Sequence, residues 1–426
     1  MIVKIAWKNI VYKPLNTALC IGLLTFGVGI ISLLLLMQHQ LEQKFRRDLK
    51  NIDLVVGAKG SPLQLVLSAI YHLDAPTGNI SLLEARKIMD NPMVAEAIPL
   101  AYGDSYQGYR ILGTTDSYIK KYDAQVQEGK IFAKNMEMTI GSDIAERTGL
   151  TVGSTFFGTH GEVKRGGHIH DNHAYTVVGI LEKTNTVLDN LLLTNLESVW
   201  QVHDNHPEVP TPIDTLHATT LDIDHEHHDH EHHNHDHDHQ PIIIADSMDI
   251  TAILLKYKTK MSALSMPRLI NQQTNMQAVL PALEINRLFY MIGVGVTTLQ
   301  LIAGGIMLMA GFSVFFVLYN RLKERRYELA LLRSVGYKRA HLFGLLLSEG
   351  IILSLLGYIL GWGLSRLSLR FVNQQAQHDF NWQFDSGLVA GESLLLIVTF
   401  GVGILAAFIP AWQAMRMNVS ATLSEK

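Results

Sequence analysis

Arg325-Arg326-Tyr327-Glu328-Leu329-Ala330-Leu331-Leu332-Arg333-Ser334-Val335-Gly336 is a charged, helix-forming segment set between two long apolar runs. Arg325 and Glu328, three positions apart, fall on one helix face, and the spacing predicts that Leu329, Leu332 and Val335 line an apolar stripe. Gly336 reads as the helix stop, with Arg333, Lys338 and Arg339 near the negative end of the dipole. A solvated basic loop is the simpler reading of such charge. An amphipathic helix caught between two membrane spans is also suited to docking a soluble partner.

Outward from this segment, the apolar runs set the architecture. Residues 14–37 carry no charge and make about 36 Å of helix, enough to cross a bilayer. A cleaved signal peptide would need a shorter apolar region ending in a small-x-small site, so an uncleaved first span is expected. Before it, Lys4, Lys8 and Lys13 around Ile5, Trp7 and Ile10 predict an amphipathic surface helix over 1–13. Gln40, Glu42, Lys44 and Arg46 favour continuation of the first span as a stalk to about residue 50. The run 286–319 would make about 50 Å of helix, longer than a hydrocarbon core, so part of it should be a second stalk. Seven basic residues over 321–339 place that loop inside. A third span is expected over 340–365, an outer link over 366–386, a fourth span over 387–415 and an inner tail over 416–426. Residues 51–285 lack any run long enough to span and alternate strand-like pieces (53–56, 109–113, 176–181, 249–256) with helix-like ones (82–89, 142–148, 196–203). The fold class is an α-helical membrane protein with four transmembrane helices, stalk and second span over 286–320, and an α+β extracytoplasmic domain.

The composition narrows the chemistry. A formal charge of −4 without a domain-scale basic face argues against nucleic acid as a partner. The single cysteine, Cys20, cannot form a disulfide within the chain and reads as a small packing residue. No P-loop is present: Gly57-Ala58-Lys59-Gly60-Ser61 lacks the spacing, so ATP is expected only through a partner subunit. The stretch 53–80, with Lys59-Gly60-Ser61-Pro62 and Asp74-Ala75-Pro76-Thr77-Gly78, is dense in turn residues and reads as a connector or a mobile loop near the stalks. The tract His225, His227, His228, His230, His232, His233, His235, His237 and His239, interleaved with Asp and Glu, offers imidazole and carboxylate ligands that suit Zn²⁺. Its low complexity favours many equivalent ligand sets over one defined site. His168, His170 and His173 form a smaller group, read as solvated or as sharing a metal with the tract. Glu349, about nine residues into the third span, is an intramembrane carboxylate and by that alone a functional candidate, but a structural hydrogen bond to a neighbouring helix is the favoured reading.

Arg-x-x-Glu-Leu-Ala-Leu-Leu-Arg-Ser-Val-Gly over 325–336 resembles the coupling segment of FtsX/MacB-type (type VII) ABC transporter permeases. The resemblance implies that Arg325, Arg326, Glu328, Leu329, Leu332, Arg333 and Gly336 contribute to the helix that rests on a cytoplasmic ATPase subunit. The run from Ile111-Leu112-Gly113-Thr114-Thr115 through 142–153 to Tyr175-Thr176-Val177-Val178-Gly179-Ile180 is similar, in the order of its pieces, to the MacB-type periplasmic core domain. Pro410-Ala411-x-x-Ala414-x-Arg416 with Ala421 and Leu423 resembles the family's closing pattern, with Val419 where proline is common. The family implies a non-catalytic permease in a bacterial inner membrane. It would pair with a second permease subunit, a homodimer before a heterodimer, and transmit ATP-driven motion to a periplasmic substrate or partner. Three functions stand open: export or periplasmic handling linked to zinc, suggested by the histidine tract; lipoprotein release or small-molecule or peptide efflux; and regulation of cell-wall hydrolases without transport.

Overall fold

The computed structural model describes residues 2–12, 14–160, 168–203, 248–379 and 384–416. They form two compact units, Met1–Arg46 with Asn286–Lys426, and Arg47–Ile285. In chain order the elements are α1 (Ile2–Tyr12), α2 (Pro14–Asp48), β1 (Leu54–Ala58), α3 (Pro62–Tyr71), β2 (Ile80–Ser81), α4 (Leu82–Met89), β3 (Val94–Tyr106), β4 (Tyr109–Gly113), α5 (Asp116–Lys121), β5 (Val126–Gly129), β6 (Glu137–Ile140) and α6 (Ser142–Thr148). There follow β7 (Thr155–His160), β8 (His168–Leu181), β9 (Leu191–Thr194), α7 (Leu196–His203), β10 (Asp249–Ile250), β11 (Ala252–Tyr257), α8 (Ser262–Gln273), β12 (Met276–Val279), α9 (Pro281–Glu324), α10 (Arg326–Ser334), α11 (Arg339–Asp379) and α12 (Ala390–Arg416).

In the first unit, α2, α9, α11 and α12 are long and apolar enough to cross a membrane. Their shared core joins Cys20, Leu24 and Val28 of α2, Ala310, Val314 and Leu318 of α9, Leu353 of α11 and Ala407 of α12. Cys20 packs there as the sequence predicts, its sulfur 3.1 Å from the Ser313 hydroxyl. Glycines on α11 let neighbours approach to backbone contact. A Cβ added at Gly350 would lie 2.8 Å from the Gly403 carbonyl oxygen of α12, and one at Gly361 would lie 2.8 Å from the Thr25 carbonyl oxygen of α2. Where lipid supplies no hydrophobic drive between helices, such close packing is what holds them together.

The third apolar helix runs past the expected limit of its span at residue 365. Arg366, expected in an outer link, is instead buried within α11 and donates two hydrogen bonds of 2.7 and 2.8 Å to the Glu392 carboxylate of α12. The Ser386 and Gly387 carbonyls accept from the same guanidinium, and Ser32 of α2 donates to Glu392. A charge in apolar surroundings persists only when its partners are complete, and here they are supplied by three helices.

In the second unit, the described strands form a ten-stranded sheet in the order β12-β1-β11-β3-β4-β9-β6-β8-β5, with β7 pairing β3 and β8, and a small β10-β2 sheet. β4–β9 and β6–β8 are parallel and the remaining pairs antiparallel. One core gathers Leu54, Val56, Ile253 and Leu255 with Leu82, Ala85 and Ile88 of α4 and Met266 and Ile270 of α8. A second gathers Ile111, Met138, Ile140, Tyr175 and Val177 with Ile144 of α6 and Val202 of α7. Helices α4, α6 and α7 fall where the sequence pattern places them. The stretch 53–80 differs: it is no plain connector, because α3 occupies its middle. Ser61 accepts from the Gln64 N–H, Pro62 opens the first turn, and Leu65, Val66, Ala69 and Ile70 are buried. The turn residues that bracket this helix hid its short apolar face from a periodicity reading.

Candidate functional site

The helix α10 is marked off at both ends by backbone geometry. α9 ends at Glu324, and Arg325 breaks the run with φ −103° and ψ 16°. At the far end, Gly336 lies in the left-handed region at φ 105°, and its N–H donates to the Arg333 carbonyl at 3.1 Å. A side chain there would be strained, so glycine stops the helix as the sequence predicts.

The apolar stripe is set differently from expectation. Leu329 and Ala330 are buried, packed with Ala6 of α1, Leu322 of α9, Leu342, Leu345 and Leu346 of α11, and Ala411 and Ala414 of α12. Tyr327, Leu331 and Val335 point outward, 49%, 51% and 75% exposed. Leu329 and Val335 therefore do not share a face: six residues turn a helix by about 240° net of full turns, whereas steps of four keep Tyr327, Leu331 and Val335 aligned. Glu328 and Arg326 are exposed beside this row. Arg325 and Glu328 approach at 3.8 Å, a loose surface pair. The Arg333 side chain is half-buried, and that of Leu332 lies outside the described residues.

Glu349 is 2% exposed in α11 and accepts a 2.7 Å hydrogen bond from the Asn9 side-chain amide of α1. Arg321, at the end of α9, lies 3.8 Å from the other carboxylate oxygen and donates to the Thr17 hydroxyl at 2.7 Å. Arg325 donates to the Asn9 amide oxygen. The intramembrane carboxylate thus sits in a polar network spanning α1, α2, α9 and α11, beside the first residue of α10. Its partners are far away in sequence, and no local spacing announces them.

A second polar cluster lies in the second unit, and no sequence motif marks it. Tyr102 donates its hydroxyl hydrogen to the Ser68 carbonyl, so it accepts from Nδ1 of His72 at 2.7 Å. Nε2 of His72 then accepts from the Tyr118 hydroxyl at 2.9 Å. Burial, aided by the charges of Arg110 and Lys121, pushes His72 down to about 3. Nearby, Lys121 and Tyr122 both donate to the Asp48 carbonyl at the end of α2, at 3.3 and 3.2 Å. Burial pushes Lys121 down to about 7 against the pull of Asp48 and Glu96. The Asp48 carboxylate accepts from the Val187 N–H at 3.2 Å. The last turn of α2, whose carbonyls have no helical partner, is thereby held by side chains.

The histidine tract 225–239 lies outside the described residues, as do the side chains of His168 and His170; His173 is half-buried in β8. Among the described residues no group of three or more His, Cys, Asp or Glu is arranged to hold a metal.

Two family models match the chain: the MacB-like periplasmic core domain over residues 17–219 and the FtsX-like permease C-terminal region over 301–419. Comparison with curated proteins gave no match. Among solved structures, the periplasmic region of MacB from Actinobacillus actinomycetemcomitans aligns at 9% identity and TM-score 0.34, covering 58% of this chain and 98% of that one. The extracellular domain of the ABC-type transporter YknZ from Gram-positive bacteria aligns at 12% identity and TM-score 0.30, covering 54% and 98%. A domain of a putative permease from Porphyromonas gingivalis aligns at 10% identity and TM-score 0.25, covering 55% and 88%.

Proposed function

The chain belongs to the MacB/FtsX-type permeases, and from that premise we propose that it is the membrane subunit of an ABC system whose ATPase is a separate chain docking on α10. The observation that carries this reading is the outward row Tyr327, Leu331 and Val335, flanked by exposed Arg326 and Glu328, on a short helix whose opposite side is buried against its own bundle. A helix anchored on one side with an apolar row on the other fits the groove of a soluble partner, with the flanking charges setting register. In this reading α10 faces the cytoplasm and the second unit lies on the opposite side of a bacterial inner membrane. Two permease subunits pair to match two ATPases, and ATP-driven movement of α10 passes along α2 and α9 to the second unit. The chain performs no catalysis and uses ATP only through its partner. The histidine tract favours a periplasmic task linked to zinc over lipoprotein release, efflux or hydrolase regulation, because its ligand types suit that ion.

The test is co-purification with a candidate ABC ATPase subunit from the same organism, followed by the ATPase rate. Leu331→Asp should abolish association, since it buries a charge at the centre of the contact at a cost of about 2–4 kcal/mol. Glu328→Lys should leave the permease inserted but uncouple hydrolysis. Normal association in both variants refutes the docking role of α10.

A further inference from the structure

Asn9 belongs to α1, the N-terminal helix that sequence reads as a membrane-surface anchor. Its outward side fits that reading: Trp7, Val11 and Tyr12 are 47%, 58% and 73% exposed. Its inward side does something else. Ala6 is fully buried in the same cluster as Leu329 of α10. The Asn9 amide is used at both ends, its nitrogen donating to Glu349 at 2.7 Å and its oxygen accepting from Arg325. The Arg325 guanidinium also lies 5.4 Å from the centre of the Tyr12 ring.

The chemistry of this junction requires a side chain of Asn9's kind. Between a cation and an anion, an amide offers an acceptor to one and a donor to the other, both charge-assisted. Arg321 completes the arrangement loosely. One of its guanidinium nitrogens is buried without a hydrogen-bond partner among the described residues, and the Glu349 oxygen nearest to it is 3.8 Å away. Glu349 is therefore bonded to α1 at hydrogen-bonding distance and paired with Arg321 of α9 only at ion-pair distance. A shift of about an ångström would bring the Arg321 nitrogen to hydrogen-bonding distance.

We propose that Asn9 is a positioning residue for ATPase coupling: it fastens α1 to the start of α10 and to α11, so that α1 and α10 form one platform. The proposal rests on the docking role of α10 given above and adds a route away from it. A push on α10 reaches Arg325, passes through the Asn9 amide to Glu349 in α11, and is felt by Arg321 at the end of α9. Leu331 and Val335 of the exposed row have apolar side chains that cannot make these bonds, so binding of a partner and transmission from it are separable.

Two readouts on the full-length permease in lipid nanodiscs decide the matter. The first is hydrogen–deuterium exchange without any ATPase. Asn9→Ala should raise exchange in both 2–12 and 326–334 by about tenfold, the scale of one lost charge-assisted bond, whereas Lys8→Ala at the exposed neighbouring position should not. Asn9→Asp should do the same by setting two carboxylates together. Combining it with Glu349→Gln should restore protection, because donor and acceptor are exchanged while the introduced carboxylate still accepts from Arg325; a role in generic packing predicts no such rescue. The second readout is the rate of the co-purified ATPase. Asn9→Ala should keep the ATPase bound and lower permease-dependent hydrolysis by about tenfold, and the double variant Asn9→Asp with Glu349→Gln should recover it. Exchange rising in 2–12 alone, absence of rescue, or full stimulation by Asn9→Ala overturns the proposal. If the wild-type permease itself neither retains nor stimulates the ATPase, the docking reading fails and the coupling role falls with it.

Discussion

Replacing Arg366 with methionine should be among the most damaging single changes in the membrane unit. The substitution removes the guanidinium that meets Glu392 through two hydrogen bonds of 2.7 and 2.8 Å. It leaves the carboxylate, 2% exposed, with the Ser32 hydroxyl at 2.5 Å and the Val389 N–H at 3.3 Å. It also strands the Ser386 and Gly387 carbonyls that Arg366 serves at 3.1 and 2.9 Å. Breaking a buried ion pair from one side costs about 3–5 kcal/mol, because the remaining charge keeps its desolvation penalty without its partner. Each stranded carbonyl adds about 1 kcal/mol where water cannot reach it. We expect a loss of about 5–7 kcal/mol, on the order of ten-thousandfold to a hundred-thousandfold in the unfolding equilibrium. The double variant Arg366→Met with Glu392→Leu removes both charges and should recover to within about 1–2 kcal/mol of the parent. Unfolding of the full-length protein in mixed micelles by increasing SDS, followed by tryptophan fluorescence, gives these values; Trp362, whose ring centre lies 4.9 Å from the guanidinium, reports locally. The Glu42–Arg46 pair, with side chains 40% and 65% exposed, is the internal control and should contribute no more than about 0.5 kcal/mol. A single-variant cost under about 1 kcal/mol, or a double variant as unstable as the sum of the singles, would refute the reasoning.

Other expectations follow from the same geometry. His72 titrates at 6.5 when unfolded and near 3 in place, so between those values the unfolded chain holds the extra proton and stability should fall as pH drops from 6.5 towards 3. Lys121 acts in the same direction in a higher window: from about 7 to 10.5 the unfolded chain again holds more protons, so stability should rise with pH there, and Lys121→Met should flatten that rise in urea or heat unfolding curves. A reporter fused after His239 should read outside and one after Arg333 inside; the same side for both contradicts the proposed topology. Calorimetric titration with Zn²⁺ should show several weak ions per chain that vanish on deletion of 225–239 and weaken as pH falls through about 6.5. An unchanged stoichiometry after the deletion would reduce the tract to a spacer.

Much of this protein is local information. The four apolar helices follow from run length alone, since a backbone in lipid must satisfy itself within one segment. Gly336 stops α10 because only glycine takes φ 105° without strain, and α4, α6 and α7 are written in short patterns of caps and apolar spacing. What tertiary structure alone decided is which side of each element is used and by whom. The rotation of α10, with Leu329 inward and Leu331 outward, is set by the hollow that Ala6, Leu345 and Ala414 leave for it, and no window around 325–336 contains that hollow. Arg366 looks like a link residue until Glu392 of the next helix is seen beside it. Asn9 looks like one polar residue on a surface helix, because its partner Glu349 is 340 positions away. Burial of an ionisable group is tolerated only when distant atoms complete its bonds, so its meaning is a property of the packed chain and is absent from the local sequence.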